Sequence, residues 1–391
     1  MSTPSLDQLR ALRTQLDEVI QAVSTSQIDL PDLDESCPIT SDSAAQPPQL
    51  ARLAAALHQV TALVEARVLR LLASQYIFRE VEPGVFARNR LSAVLDTGKD
   101  VQALRADSTN AFVGTNGLAA MVSFNADVGL KSAAHLSDVL LDEKLSSSYA
   151  PTDASFASAF GGGQLFAYLS RNEGLMKRFA ASMEVLKWVS PQGEALTTGS
   201  PWTSLPEGSV VVDVGGGTGQ LCLEIGTKVP HLEFVIQDLP DVIEKATTEF
   251  WKSPAAAKVR DRVTMQSHNF LAPQPVKGAH YVLRAIIHAW PDAEAIKILQ
   301  HLADAADKDS KLVVINQSLV ELSPPNRFPP VATLPYYTDI QTMACMNSQE
   351  RTEAQYAALA EKAGWKLVHT WKTGPNGEDG AWRHYEFTRR D

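Results

Sequence analysis

Between residues 200 and 320 the chain alternates two patterns of apolar positions. Runs rich in Val, Ile and Leu, "SVVVDV" (209–214), "LEFVIQD" (232–238), "RVTMQSHN" (262–269), "HYVLRAII" (280–287) and "KLVVINQSL" (311–319), are separated by segments of helical period. Continuous apolar runs suit strands buried on both faces, and the intervening period suits amphipathic helices, so the alternation predicts a mostly parallel α/β sheet. The last two runs, "WKLVHTWKT" and "WRHYEFTRR", have no helical pattern between them. They predict an antiparallel pair at the end of the sheet.

The first half follows a different rhythm. Leu6, Leu9, Leu12, Leu16, Val19, Ile20 and Val23 recur at threes and fours, which predicts one apolar helical stripe that this chain or another must cover. The Ser-, Asp- and Pro-rich stretch after it has no period and reads as an extended arm, so residues 1–48 are expected to swap across a dimer. From Gln49 to about Leu95 a helical pattern leads into two strand-like pieces, Tyr76–Val81 and Gly84–Arg88, around a Glu-Pro-Gly turn. Helices closed by a hairpin make a winged-helix-like unit, and the segment from Asp100 to Ser190 is again mainly helical.

Charge decides between two readings of that unit. The formal net charge of −10 and the absence of a Lys/Arg-dense recognition helix argue against nucleic acid or anionic lipid and favour an oligomerisation domain. With 391 residues, 45% of them hydrophobic, the chain can bury a large core. Cys37, Cys222 and Cys345 are far apart and show neither metal-ligand nor redox spacing, so no metal and no disulfide framework is expected. The N-terminus lacks a secretory pattern and no run approaches the ~20 apolar residues of a membrane span, which points to a cytoplasmic protein.

The chemistry concentrates in "VVVDVGGGTGQLCLEIG". Gly215, Gly217 and Gly219 stand between a β-branched strand and an amphipathic helix, where glycine lets a ligand lie against the backbone and the helix N-terminus adds partial positive charge. A dinucleotide fingerprint requires a further glycine at Gln220. The G-x-G-x-G form preceded by Asp213 is typical instead of S-adenosylmethionine sites. Asp238, at the end of the next strand, is placed to accept both ribose hydroxyls.

Together "VDVGGGTG", "VIQDLPDVI", "HNFLAPQPVKGAHYVLRAIIHAWPD" and "DIQTMACMNSQERTEAQYAALAEKAGW" make residues 50 to 391 resemble the class I S-adenosylmethionine-dependent O-methyltransferases of the plant phenolic and fungal natural-product type. The resemblance implies a Rossmann-like sheet, an N-terminal, mainly helical winged-helix-like dimerisation domain (49–160), a catalytic domain (161–391) and a homodimer. S-adenosyl-L-methionine would be the cofactor and S-adenosyl-L-homocysteine its product. Cofactor contacts carry over to Asp213, Gly215, Gly217, Gly219, Asp238, Leu239, Asn269, Phe270 and Arg284. The acceptor pocket would include Phe166, Phe179, Met183, Trp290, Met343 and Met346, although such side chains also serve plain packing.

Methyl transfer to oxygen is an in-line displacement, and a phenol also needs a base, a task suited to histidine near neutral pH. By resemblance the base is His288, with Glu350 as the acid that steadies it. The family's second steadying acid falls at Gln317, a neutral stand-in whose carbonyl oxygen can still orient an imidazole. Two further departures are Ala289, where relatives carry Asp, and Asn269, where they carry Asp beside the adenine. These keep open a second expectation, that of a fungal pericyclase or dehydratase relative that holds S-adenosylmethionine without consuming its methyl. His135 in "KSAAHLSDVL" matches the region from which such relatives recruit a histidine, and otherwise reads as a solvent-facing helix residue.

Overall fold

The computed structural model describes residues 66–185, 196, 201–319, 333–373 and 381–390. The Leu6–Val23 stripe and the arm expected to swap lie outside the described residues, as does Cys37. The chain divides into two compact units, Met1–Thr97 and Gly98–Asp391, each considered by itself.

In the first unit a helix over residues 66–74 precedes the hairpin of β1 (Phe78–Glu82) and β2 (Val85–Arg88), which pair antiparallel with Phe78 opposite Arg88. The Arg70 guanidinium donates to the Glu80 carboxylate at 2.8 Å, tying helix to hairpin, and the Gly84 N–H donates to that same carboxylate across the turn. The helix-then-hairpin pattern expected from the sequence is present, with both strands starting one or two residues later.

The second unit opens with a helical layer that contains α1 (Leu118–Phe124), α2 (Leu130–Ala134), α3 (Ser155–Phe160), α4 (Leu165–Leu169) and α5 (Glu173–Ser182). Phe124, Val128, Phe156, Leu165, Leu169 and Leu175 form its core, and Cys345 from much later in the chain closes it. The helical layer is thereby packed onto the α/β part of the same unit.

Seven strands among the described residues form one sheet in the order β5-β4-β3-β6-β7-β9-β8. They are β3 (Val210–Val214), β4 (Glu233–Asp238), β5 (Val263–Ser267), β6 (His280–Arg284), β7 (Lys311–Gln317), β8 (Trp365–Thr373) and β9 (Trp382–Arg389). The pairings through β7 are parallel, and β9 runs antiparallel to both β7 and β8. The expected mixed sheet with an antiparallel C-terminal pair is therefore present.

Alternation along each strand builds two cores. Val212, Val214, Tyr281, Leu283, Leu312 and Val314 pack against α8 (Asp292–Ala305) and α10 (Glu353–Lys362), through residues such as Ile298, Leu302 and Tyr356. Their neighbours Val211, Val282, Val313 and Ile315 point the other way, onto Leu221, Cys222 and Ile225 of α6 (Gln220–Lys228) and Ile243 of α7 (Pro240–Thr248). A strand buried on both faces must be apolar at both parities, which is why these segments read as continuous runs. Sheet order reverses at β3, between β4 on one side and β6 on the other. The crevice beyond the carboxyl ends of strands at such a reversal is the usual ligand position in an open α/β sheet.

One strand ends earlier than its apolar run predicts. The run to Ile287 reads as strand, but β6 stops at Arg284 and Ala285 adopts the left-handed φ of +55°. The Ala285 N–H still bonds to the Ile315 carbonyl at 2.9 Å; the chain then leaves the sheet and forms a 3-10 turn over Ile287–Ala289. Ile287 is buried within that turn, so it looks like strand in the sequence although it is not. Among the described residues no group of His, Cys, Asp and Glu is arranged to hold a metal, and no helix is long and apolar enough to cross a membrane.

Candidate active site

The glycine loop leaves β3 at the sheet reversal. Gly215 and Gly216 donate their N–H groups to the Gln237 carbonyl at 2.8 and 3.0 Å, and Gly217 donates to Asp238 Oδ2 at 2.8 Å. Gly219 has φ +83°, and a Cβ there would lie 2.2 Å from Ile236 Cδ1, so the loop closes on the sheet only without a side chain. Gly217 is the opposite case: its φ is +60° and a Cβ would meet nothing within 4 Å. The backbone at Gly217 borders open space.

Two acids lie beside the loop, Asp213 against Gly216 and Asp238 against Gly217. Asp213 is 1% exposed, and burial pushes its carboxyl up to about 6 although the Arg284 charge pulls it down. Asp238 takes the Leu239 N–H on Oδ1 at 2.7 Å and the Gly217 N–H on Oδ2; burial nevertheless raises it above the ordinary carboxylate range. The half-buried Asp238 carboxylate beside a bare backbone, with Asp213 behind it, fits a ligand that carries both hydroxyls and positive charge, as S-adenosylmethionine does. Asn269 uses its side-chain oxygen to cap the Leu271 N–H at 3.0 Å, and Leu239 is half exposed. Gln237 and Gln274 exchange reciprocal amide bonds at 2.7 and 2.8 Å, tying the segment after Phe270 to β4.

The 3-10 turn after β6 presents His288. Its Nδ1 lies 2.7 Å from Glu350 Oε1, and the Glu350 side chain is wholly buried. An ionised carboxylate only accepts, so Nδ1 carries the proton and the Nε2 lone pair is left basic. The ring's partner is Glu350, while the Gln317 amide oxygen lies 3.2 Å from the Thr338 hydroxyl on α9 (Thr333–Met346), a hydroxyl shared with the Pro335 carbonyl at 2.9 Å.

The residues around Glu350 hold the histidine turn by its carbonyls. Ser348 donates to the His288 carbonyl at 2.7 Å, while Arg351 donates to the Ile287 and Trp290 carbonyls at 3.0 and 2.9 Å. Arg351 is 1% exposed and completes its pairing at Asp292, 2.7 Å away. Carbonyls that leave a sheet and stay buried need donors, and one guanidinium supplies two of them. Sequence reasoning missed Ser348, Arg351, Gln237 and also Asp339, which accepts the Glu350 N–H at 2.8 Å. An Asp inside the apolar helix pattern "DIQTMACM" was the available signal for the last.

Beside the base, a small cleft is lined by Gln164, Leu165, Phe166, Ala289, Trp290 and Met346, among others. Phe166 and Trp290 lie nearly parallel with centroids 6.1 Å apart. Phe179 packs edge-on to Phe166, and Phe270 edge-on to Trp290. The aromatic run thus reaches from the helical layer towards the glycine loop. Of the expected acceptor residues, Phe166, Trp290 and Met346 border the cleft; Met343 and Met183 are half-buried on α9 and just after α5. His135 lies between α2 and the following helix, its side chain 44% exposed and 3.6 Å from the Asp138 carboxylate, outside the set that lines the cleft.

The O-methyltransferase domain family matches residues 134–366. The 4-O-methyltransferase 1 of Phanerochaete chrysosporium is 35% identical over 333 residues, which span 79% of this chain and 70% of that protein. The sterigmatocystin 8-O-methyltransferase of Aspergillus parasiticus is 30% identical over 317 residues, 80% of this chain and 68% of that one. Among solved structures, the mitomycin 7-O-methyltransferase MmcR shares the fold with a TM-score of 0.64 at 23% identity, over 98% of this chain and 96% of its own. A pericyclic reaction enzyme shares it with a TM-score of 0.65 at 22% identity, over 99% of this chain and all of its own. Because the family match covers more than half of the chain and relatives above 30% identity align along two thirds of their length, this chain belongs to the S-adenosylmethionine-dependent O-methyltransferase family.

Proposed function

We propose that the protein methylates a hydroxyl of a small aromatic or polyketide-type metabolite, with His288 as general base. The observation that carries this reading is the 2.7 Å contact between His288 Nδ1 and the buried Glu350 carboxylate. Asp213, Asp238 and the glycine loop would hold S-adenosylmethionine, which supplies the electrophilic methyl group when bound. His288 Nε2 takes the acceptor's hydroxyl proton, and Glu350 stabilises the cation that forms on the ring. Phe166, Trp290 and Met346 orient the acceptor's flat face, and Gln317 secures α9 through Thr338 instead of acting on the base.

The same reading takes the protein as a cytoplasmic homodimer, with residues 1–48 and 49–160 forming the dimer and 161–391 the catalytic domain. Sedimentation of the full chain checks the dimer. The fold does not choose between methyl transfer and pericyclic chemistry, since a methyltransferase and a pericyclic enzyme match it equally well. The retained base and acid pair favours methyl transfer. Incubation of a panel of phenolic acceptors with methyl-labelled S-adenosylmethionine tests it: label in the product, with S-adenosylhomocysteine formed, is expected. An isomerised or dehydrated product with the cofactor intact would overturn it. His288→Ala is expected to lower transfer by about 10²- to 10⁴-fold with cofactor affinity nearly unchanged, and full turnover would remove the base assignment.

A further inference from the structure

Glu350 reaches the imidazole from a turn, and turns place side chains only as well as their own peptides are held. That turn follows α9, leaving the helix at Asn347 with a left-handed φ of +54°. The turn is then held residue by residue: the Ser348 hydroxyl donates to the His288 carbonyl, the Glu350 N–H donates to Asp339 Oδ1, and the Arg351 carbonyl accepts the Leu319 N–H. Asp339 is the member of this set with a carboxylate of its own. It stands mid-helix, between the exposed Ile340 and Thr338, whose hydroxyl bonds to Gln317. Burial and the neighbouring Glu350 charge both push the Asp339 carboxyl up, against the Glu350 N–H and the Arg351 charge. An acid pressed against a second acid is unfavourable unless its acceptor is needed where it stands.

We propose that Asp339 is a positioning residue for the His288–Glu350 pair, fixing by its bond to the Glu350 N–H the peptide from which that carboxylate reaches Nδ1. The proposal rests on the reading of His288 as base. It differs from a purely structural role in one respect: loss of the acceptor must alter the imidazole hydrogen bond itself. Thr338 and Asp339 are consecutive, so one turn of α9 secures both the end of β7 and the catalytic acid. That helix also carries Met346 into the cleft.

The test compares Asp339→Asn, which keeps an oxygen acceptor, with Asp339→Leu, which has none. The Nδ1–H proton resonance of His288 is followed by NMR in the S-adenosylhomocysteine complex of the full chain. Asp339→Leu is expected to shift or broaden that resonance, and Asp339→Asn to keep it. With a phenol that the labelled-methyl assay shows to be turned over, Asp339→Leu is expected to lower kcat by about 10- to 100-fold while leaving the KM for cofactor within about twofold. In a His288→Ala background it is expected to add almost nothing, since the two residues act as one unit. An unmoved Nδ1–H resonance in Asp339→Leu, or an equal loss of rate with and without His288, would overturn the proposal. Full turnover by His288→Ala alone would instead remove the base reading, and the resonance would still decide the positioning. Should Asp339→Leu not fold, Asp339→Ser, too short to reach the Glu350 N–H, takes its place in each comparison.

Discussion

Asp213→Asn removes a charge that the fold holds out of water. Asp213 lies in β3 between Val212 and Val214, is 1% exposed, and accepts the Cys222 thiol at 3.5 Å. Burial lifts its ionisation from 3.8 to about 6, so the folded chain binds this proton more tightly than the unfolded chain does. The stability that follows from this group is therefore fully present below about pH 4 and is lost as pH rises through about 6. By linkage, the charged form costs about 3 kcal/mol of folding free energy above that window. Asn keeps the shape without the charge. The variant is expected to exceed the parent by up to about 3 kcal/mol near pH 7.5, the gap closing towards pH 4. Urea unfolding followed by Trp fluorescence reads this as a midpoint raised by about 1 M at the higher pH. Other acids titrate in both proteins and cancel in the difference. Parallel curves for parent and variant across this range would refute the reasoning.

Two further perturbations address the loop and the base turn. Gly217→Ala is expected to cost about 1 kcal/mol for the left-handed backbone and to abolish S-adenosylmethionine binding in calorimetry, because its methyl group would enter the open space beside the loop. Unchanged affinity would mean that the ligand does not lie there. Arg351→Met strips the Trp290 carbonyl of its guanidinium donor, leaves the Ile287 carbonyl with only the Trp290 N–H at 3.3 Å, and is expected to cost about 2–3 kcal/mol. A thermal midpoint lowered by about 3–4 °C is the expected reading, and a change below about 1 °C would show that the guanidinium is dispensable.

The sheet and the glycine loop were legible because their determinants are local. Each strand run states its own burial, and the loop lies within a few residues of the acid that opens it. The base turn is not local in this sense. Ala285 turns left-handed only because the chain must leave the sheet after Arg284, and nothing in "RAIIHAW" distinguishes the buried Ile287 from a strand residue. The donors that make that departure tolerable come from Ser348 and Arg351, about sixty positions later. A sequence read in windows sees an ordinary polar "SQERT" segment. It cannot see that the segment supplies hydrogen bonds to another turn.

The two substitutions that weakened the sequence reading of the base have separate physical consequences. At Gln317 the missing acid removes no contact with the imidazole, because the amide oxygen serves Thr338 and Glu350 alone meets Nδ1. The carboxylate that meets the ring is that of Glu350, whose N–H is held by Asp339 on the helix that bounds the cleft. At Ala289 the loss acts on the cleft itself, where this methyl group lies with Phe166, Leu165, Trp290 and Met346. A carboxylate in that setting would stand against apolar surface with little to pair it, and would repel anionic acceptors. Ala289 leaves Gln164 as the polar side chain of that lining, able both to donate and to accept. On the proposed reading, the same substitution that removes an acid next to the base makes the cleft suit flat, uncharged acceptors that carry a carbonyl or hydroxyl within reach of one amide.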